Sequence, residues 1–494
     1  MTRDGFVIPR RRFLSVLSSM GVSGGLFPGV LWAKAQDATE VTPEVVAEAE
    51  KVVGMSFSPE ERDLMVQRLL ANRRSFEALR QLEISDEVAP AFYFDPTPQG
   101  RSVPGGPSVL RPSEPRSLPS PSQPTDISFA SLGQLGALLR ERSLSSVQLT
   151  ELYLDRLRRF DSDLRCVVTR TEELALEQAA QADRELDEGR SRGPLHGIPW
   201  GAKDLLSTSR YPTTWGATPY RDQRLDRDAT VVQKLDEAGA VLVAKLTLGG
   251  LARGDRWFGG RTRNPWDLDE GSSGSSAGSA SATIAGLVGF SIGSETVGSI
   301  VSPSARCGAT GLRPSFGRVS RYGAMTLSWT MDKIGPICRS VEDCALVLSE
   351  IQGADGLDRC ARDIPFVWEA DRGLDGIRVG YLEQAFELQG ESQARDLAVL
   401  ESLSAVGVAL RPVDFPGDFP LTALRLILSA EAAASFDTLT RSGRDDLLLE
   451  QEEDNWPNTF RVARLIPAVE YIQANRARIV LNQKMAELFE TIDV

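Results

Sequence analysis

Histidine is almost missing from this 494-residue chain: His196 is the only one. A zinc site built from several histidines is therefore excluded, and any Ser-His-Asp hydrolase would have to use His196 itself. The cysteines are few and unpaired in pattern. Cys166, Cys307, Cys338, Cys344 and Cys360 form no C-x-x-C motif and are odd in number, which argues against a disulfide framework and for buried thiols. Lysine is scarce as well. After Ala35 only Lys51, Lys203, Lys234, Lys245, Lys333 and Lys484 occur, and arginine supplies the other positive charges. The net charge of −13 disfavours a phosphate-binding surface, so nucleic acid is not expected as a partner. With 41% hydrophobic and 25% charged residues the composition is that of a globular protein, neither disordered nor membrane-like.

The N-terminus differs from the rest. Arg10-Arg11-Arg12-Phe13-Leu14 precedes a mildly apolar, Gly- and Ser-rich stretch ending in Ala33-Lys34-Ala35. Paired arginines, a weak apolar segment and an A-x-A site look like a bacterial twin-arginine export signal over 1–35. The stretch is too short and Gly-rich for a transmembrane span. The expected mature protein starts near Gln36 and works in the periplasm or outside the cell, away from the membrane once the signal is cut. Residues 36–93 read as a helical extension, with Val45, Val46, Val52, Val53, Met65, Leu69 and Leu70 at helical spacing. Residues 94–126 are dense in Pro, Ser and Gly and read as an extended linker. From about 127 the pattern alternates between helix and strand. Leu149, Leu152, Tyr153, Leu157 and Phe160 make one helical face behind a Ser145 or Ser146 cap, and a helix through Val231, Val232 and Leu235 leads by Gly239 into the strand Val241-Leu242-Val243. Such alternation predicts an α/β fold with a sheet covered on both faces by helices.

Three stretches carry candidate chemistry. In Gly197-Ile198-Pro199-Trp200-Gly201-Ala202-Lys203-Asp204 a rare lysine sits in an apolar, Gly-rich run; if buried, its amine is pushed toward neutrality and becomes a base. Read alone, the stretch favours a surface lysine at a strand end over a buried base. The run Gly271-Ser272-Ser273-Gly274-Ser275-Ser276-Ala277-Gly278-Ser279-Ala280 permits tight turns and close backbone approach. As a flexible linker it would be unusual, because Ile284, Leu287, Val288, Phe290 and Ile292 follow at once. Gly293-Ser294-Glu295-Thr296-Val297-Gly298-Ser299-Ile300 ends a strand in a Gly-Ser turn, which either presents a hydroxyl beside free backbone N–H groups or is an ordinary strand-to-turn junction.

Taken in order, and with Thr262-Arg263-Asn264-Pro265-Trp266-Asp267, Gly311-Leu312-Arg313-Pro314, Gly317-Arg318-Val319-Ser320-Arg321-Tyr322-Gly323, Asp332-Lys333-Ile334-Gly335-Pro336 and Arg339-Ser340-Val341-Glu342-Asp343, these stretches resemble the amidase signature family. The resemblance is strong over 128–355 and weaker over 375–494, and it extends to the glutamine-hydrolysing (A-type) chain of glutamyl-tRNA amidotransferase. It implies a central mixed sheet covered by helices and a Ser-Ser-Lys catalytic set of Lys203, Ser275 and Ser299. Ser275 follows Gly274 and stands 24 positions ahead of Ser299, as in the family; Ser272 would stand 27 ahead. The resemblance further implies a cis Gly274–Ser275 peptide, an oxyanion hole from the backbone of Thr296, Val297, Gly298 and Ser299, no cofactor and no metal, with His196 a scaffold residue near Lys203.

Departures from the family are specific. Val297 stands where many relatives have glycine, so the turn must work in a conformation a β-branched residue accepts. Val301 replaces a frequent arginine, and Ala277 replaces a glycine. The ending at Phe489-Glu490-Thr491-Ile492-Asp493-Val494 falls where relatives continue into further core elements, so the domain over 127–494 reads as C-terminally truncated. Three functions follow as expectations: an amidase acting on a small amide through an acyl-enzyme, the glutamine-hydrolysing subunit of a tRNA-dependent amidotransferase, or a catalytically silent relative. A homodimer is compatible with each.

Overall fold

The computed structural model describes residues 41–53, scattered positions between 56 and 70, and 94–494 except 104, 116–117, 119–122, 375, 388–392 and 416–418. The expected signal over 1–35 and most of the 36–93 extension lie outside the described residues. The chain divides into two compact units, Met1–Ser85 and Asp86–Val494. In the first, a helix over Pro43–Val53 is followed by a short ion pair, Arg62 to Glu50 at 2.8 Å.

In the second unit, helices begin where the sequence supplies caps. Ser131 caps α1 (Leu132–Arg140) and Ser145 caps α2 (Ser146–Leu164), each in a capping box with the glutamine three residues on. Strand β1 (Val167–Arg170) and α3 (Glu172–Asp187) follow, then β2 (Pro199–Lys203), α4 (Thr230–Glu237) and β3 (Val241–Leu246). The small-residue helix α5 (Ala277–Ile284) leads into β4 (Phe290–Glu295), α6 (Val301–Cys307), β5 (Thr310–Gly311), β6 (Lys333–Cys338) and α7 (Val341–Ile351). The six strands form one sheet in the order β5-β6-β4-β2-β3-β1. The β4-β2-β3 centre is parallel and both flanks are antiparallel, which makes the sheet mixed.

Every residue of β2, β3 and β6 is buried, because helices cover both faces. Trp200, Ala202, Leu242 and Phe290 point into one core with Leu135 of α1, Leu235 of α4 and Val347 of α7. Val241, Val243 and Leu246 point into another with Leu157 of α2, Ala179 of α3 and Ala282 of α5. Each buried valine, leucine or phenylalanine among them contributes about 1.5–3 kcal/mol. The five cysteines are free and buried.

The described part of the Pro- and Ser-rich 94–126 segment belongs to the second unit and packs against it. Val109–Arg111 pairs in parallel with Val367–Glu369, Ser113 bonds Glu342, and Asp95 pairs with Arg362 at 2.9 Å. Past residue 375, β7 (Arg378–Leu382) and β8 (Ala409–Val413) form a separate parallel pair around α8 (Gln393–Ala405). Helices α9 (Arg425–Ser435), α10 (Trp456–Ala463) and α11 (Ala468–Leu488) follow. Phe436, Phe460 and Trp456 stack together, and Trp456 donates to the Leu251 carbonyl at 2.9 Å.

Candidate active site

Strands β2 and β4 run side by side in the same direction, with Ala202 opposite Ile292. Their carboxyl ends therefore bring Lys203 beside Ser294, at the edge where open parallel sheets bind ligands. The Ser-Gly run passes over that edge. Its Gly274–Ser275 peptide is cis, and Ser276 donates its backbone N–H to the Ser299 carbonyl at 3.0 Å, tying the run to the turn after β4. A side chain at Gly274 would place its Cβ 1.9 Å from the Gly254 carbonyl oxygen, so only glycine admits this approach.

Lys203 is fully buried. Its Nζ lies 2.9 Å from Ser275 Oγ, 3.0 Å from Ser276 Oγ, 2.9 Å from Ser294 Oγ and 3.2 Å from the Ser294 carbonyl. Among the described residues no carboxylate comes within ion-pairing distance. Burial pulls the amine down to about 7, against the weaker opposing pull of Asp332 and Glu295. Of the serines now seen around the amine, the family spacing pointed to Ser275 alone. Ser276 and Ser294 become visible only in three dimensions, because one follows the turn of the run and the other sits on a neighbouring strand.

The turn after β4 is held from several sides. Glu295 accepts the backbone N–H groups of Ile300 at 2.8 Å and Val301 at 3.0 Å, and Arg313 lies 3.6 Å from its other oxygen. Thr296 donates its hydroxyl to Asp332 at 2.5 Å, and Asp332 in turn accepts from the N–H groups of Leu327 and Ser328. The left-handed conformation falls on Gly298, at φ +85°, and Val297 avoids it, which is how a valine is accommodated in this turn. Among the described residues the N–H groups of Val297, Gly298 and Ser299 have no acceptor, and the Ser299 hydroxyl has no hydrogen-bond partner. A cleft of about 370 Å³ opens here, lined by Ser294, Thr296, Tyr322, Trp329 and Lys333 among others.

Other predicted motifs surround this site as supports. Arg321 is clamped by Asp358 through two bonds of 2.8 and 2.9 Å and donates to the Trp329 carbonyl, shaping the cleft wall. Trp266 donates to the Cys307 carbonyl at the end of α6. Glu431 on α9 accepts from Ser328, Thr330 and Tyr471, a tie to the cleft loop that no motif signalled. The expectation that His196 sits near Lys203 is corrected: it lies ahead of the opposite end of β2, accepts from Arg192 N–H at 3.0 Å and faces Glu185. Lys203 closes the strand that Pro199 opens, and the length of that strand, roughly 13 Å at strand rise, lies between it and His196.

A family model named Amidase matches residues 148–494. The A-type chain of the glutamyl-tRNA(Gln) amidotransferase of Moorella thermoacetica is 36% identical over 322 residues, 63% of this chain and 66% of that one, so the match spans just under two thirds of that relative. The corresponding chain of Coxiella burnetii is 32% identical over 394 residues, 74% and 81% of the two chains. Among solved structures, the peptide amidase of Stenotrophomonas maltophilia superposes with a TM-score of 0.61 at 32% identity, covering 70% of this chain and 77% of that one. The corresponding glutamyl-tRNA(Gln) amidotransferase chain of Thermotoga maritima gives 0.62 at 27% identity, covering 74% and 78%. With the model matching most of its length, the chain belongs to the amidase family.

Proposed function

We propose that this chain hydrolyses a carboxylic amide through an acyl-enzyme, with Ser299 as nucleophile, Ser275 as proton shuttle and Lys203 as base. One observation carries the reading: a fully buried lysine, unpaired with any carboxylate among the described residues and drawn down to about 7, lies 2.9 Å from Ser275 Oγ. The Ser276 hydroxyl donates to the Ser294 carbonyl at 3.1 Å, so toward Lys203 it can only accept. The neutral amine then gives its two N–H groups to Ser276 and Ser294 and keeps its lone pair for the Ser275 hydrogen.

Ser299 Oγ attacks the carbonyl carbon, its proton passes to Ser275 Oγ, and the Ser275 proton passes to Lys203. The oxyanion is met by the N–H groups of the Thr296–Ser299 turn, each critical donor contributing about 3–4 kcal/mol. Collapse breaks the C–N bond as the proton returns through Ser275 to the leaving amine, and water repeats the cycle on the ester. Hydrogen bonds between catalytic groups commonly tighten only when substrate is bound, so a free Ser299 hydroxyl is compatible with this role.

The test is a fluorophosphonate probe on the purified chain, with the labelled residue located by mass spectrometry. Labelling at Ser299, absent in Ser299→Ala and Lys203→Ala, is the expected result; a folded chain that takes no label would return the protein to the catalytically silent reading. A second reading, the glutamine-hydrolysing subunit of an amidotransferase, is favoured by the relatives of that name. Release of ammonia from glutamine only with a partner subunit would establish it. We further propose export by the twin-arginine route, which a reporter fused after residue 35 and expressed with and without the Arg11 and Arg12 pair would test.

A further inference from the structure

Lys333 is a further buried lysine at this edge, and the proposed proton relay does not use it. It opens β6 directly across from Glu295, the last residue of β4. Its Nζ donates to the Thr296 carbonyl at 3.1 Å, and among the described residues no carboxylate lies within ion-pairing distance. The preceding residue, Asp332, holds the Thr296 hydroxyl. Two consecutive residues thus grip the hydroxyl and the carbonyl of Thr296.

That carbonyl is not an isolated acceptor. The Thr296 C=O and the Val297 N–H belong to one peptide group, and a cation bonded to the oxygen withdraws electron density through the amide resonance and strengthens the N–H as a donor. The Val297 N–H is one of the unclaimed donors of the turn.

We propose that protonated Lys333 is a positioning residue for the oxyanion hole, fixing the Thr296–Val297 peptide and polarising its N–H toward the developing oxyanion. This rests on the Ser299 reading above.

The charges around Lys333 are otherwise engaged. Glu295 on β4 holds Ile300, Val301 and Arg313; Asp332 holds three donors; Arg321 is clamped by Asp358. Burial first, then Arg313 and Arg321, lower the ammonium to about 8, with Asp332 and Glu295 opposing. Full activity then calls for opposite states of two lysines. Lys203 must have lost its proton, which happens as pH rises through about 7, and Lys333 raises the rate only while it keeps its own, which it loses as pH rises through about 8. The working window is narrow, with Lys203 setting its acid limb and Lys333 its alkaline limb.

The experiment is the rate of fluorophosphonate labelling of the full chain from pH 6 to 10 for the parent, Lys333→Gln and Lys333→Arg, each first shown to melt cooperatively. Glutamine keeps a donor for the Thr296 carbonyl without charge; arginine keeps the charge at every pH. The parent should show a bell, K333Q a rate about 10-fold lower at pH 7.5 with no alkaline limb, and K333R a rate above that of K333Q that persists to pH 10. A K333Q that matches the parent in rate, or that keeps the alkaline limb, overturns the role of Lys333 while leaving Ser299 intact. A parent that takes no label at any pH overturns the Ser299 reading itself.

Discussion

The stretch from 128 to 355 and the stretch from 375 to 494 contain similar kinds of residues put to different use. In the first, the strands β2, β3 and β6 are buried on both faces and even the lysines Lys203 and Lys245 are fully enclosed. In the second, α9 and α10 send Ala432 and Phe460 into the same core as Trp200 of β2, but α8 buries none of its residues and α11 buries only Ala474, while Leu397, Val399, Val406 and Ile472 stand in solvent. The lesson is that apolar content does not make a core by itself: α9 and α10 are buried where they pack onto the core of the sheet, and α8 and α11, with similar residues, are not. Only an enclosed site can hold an amine near neutrality and aim backbone N–H groups, and the proposed chemistry is confined to the enclosed region.

This contrast can be broken or sharpened by substitution. The largest effect is expected on activity. Ser299→Ala or Lys203→Met should lower kcat by about 10⁴-fold or more with the fold retained; a variant with a tenth of parental turnover would refute the assignment. Next comes Asp204→Asn. Asp204 and Lys245 pair at 2.8 Å with both side chains wholly buried, so an uncompensated charge should cost about 3–5 kcal/mol in a denaturant titration. Gly278→Ala should follow at about 3 kcal/mol, because its Cβ would meet the Cys166 carbonyl oxygen at 2.3 Å and the Thr247 nitrogen at 2.5 Å, both backbone atoms with little room to yield.

A smaller effect appears in the pH dependence of stability. Lys203 titrates near 7 when folded and near 10.5 when unfolded. Below about 7 it is protonated in both states and the burial penalty is fully present. Between about 7 and 10.5 the unfolded chain binds more protons, so stability rises with pH, by up to roughly 1.4 kcal/mol per unit from this group. Lys203→Met should remove that slope between pH 7 and 8, and an unchanged slope would show that the amine is not desolvated. The smallest effect belongs to the other region. Leu397→Ser and Val399→Ser should change stability by less than about 0.5 kcal/mol, and a loss of 2 kcal/mol would mean that α8 is covered in solution.

Much of the site was legible from one chain because its parts are local in sequence. The Gly-rich run before Lys203, the Gly274-Ser275 step and the Gly298-Ser299 turn each need a backbone path that few residues permit, so the residue types betray the geometry. The alternation of helix and strand, the Ser145 cap and the buried run Val241-Leu242-Val243 were readable for the same reason. His196 shows the limit: seven positions from Lys203 in sequence, it serves a different end of the same strand.

What the sequence determined alone is the set of local conformations and the choice of reactive groups: one histidine, few lysines, a serine-rich turn and a strand ending in glycine and serine. What only the tertiary structure decided is proximity and protonation. Ser294 and Ser276 reach Lys203, Lys333 reaches the Thr296 carbonyl, and Glu431 reaches the cleft loop across more than a hundred residues of chain. The reason is physical. An amine titrates near 7 through the loss of water around it, and that loss is a property of the packed sheet and its helices, not of any segment of the chain.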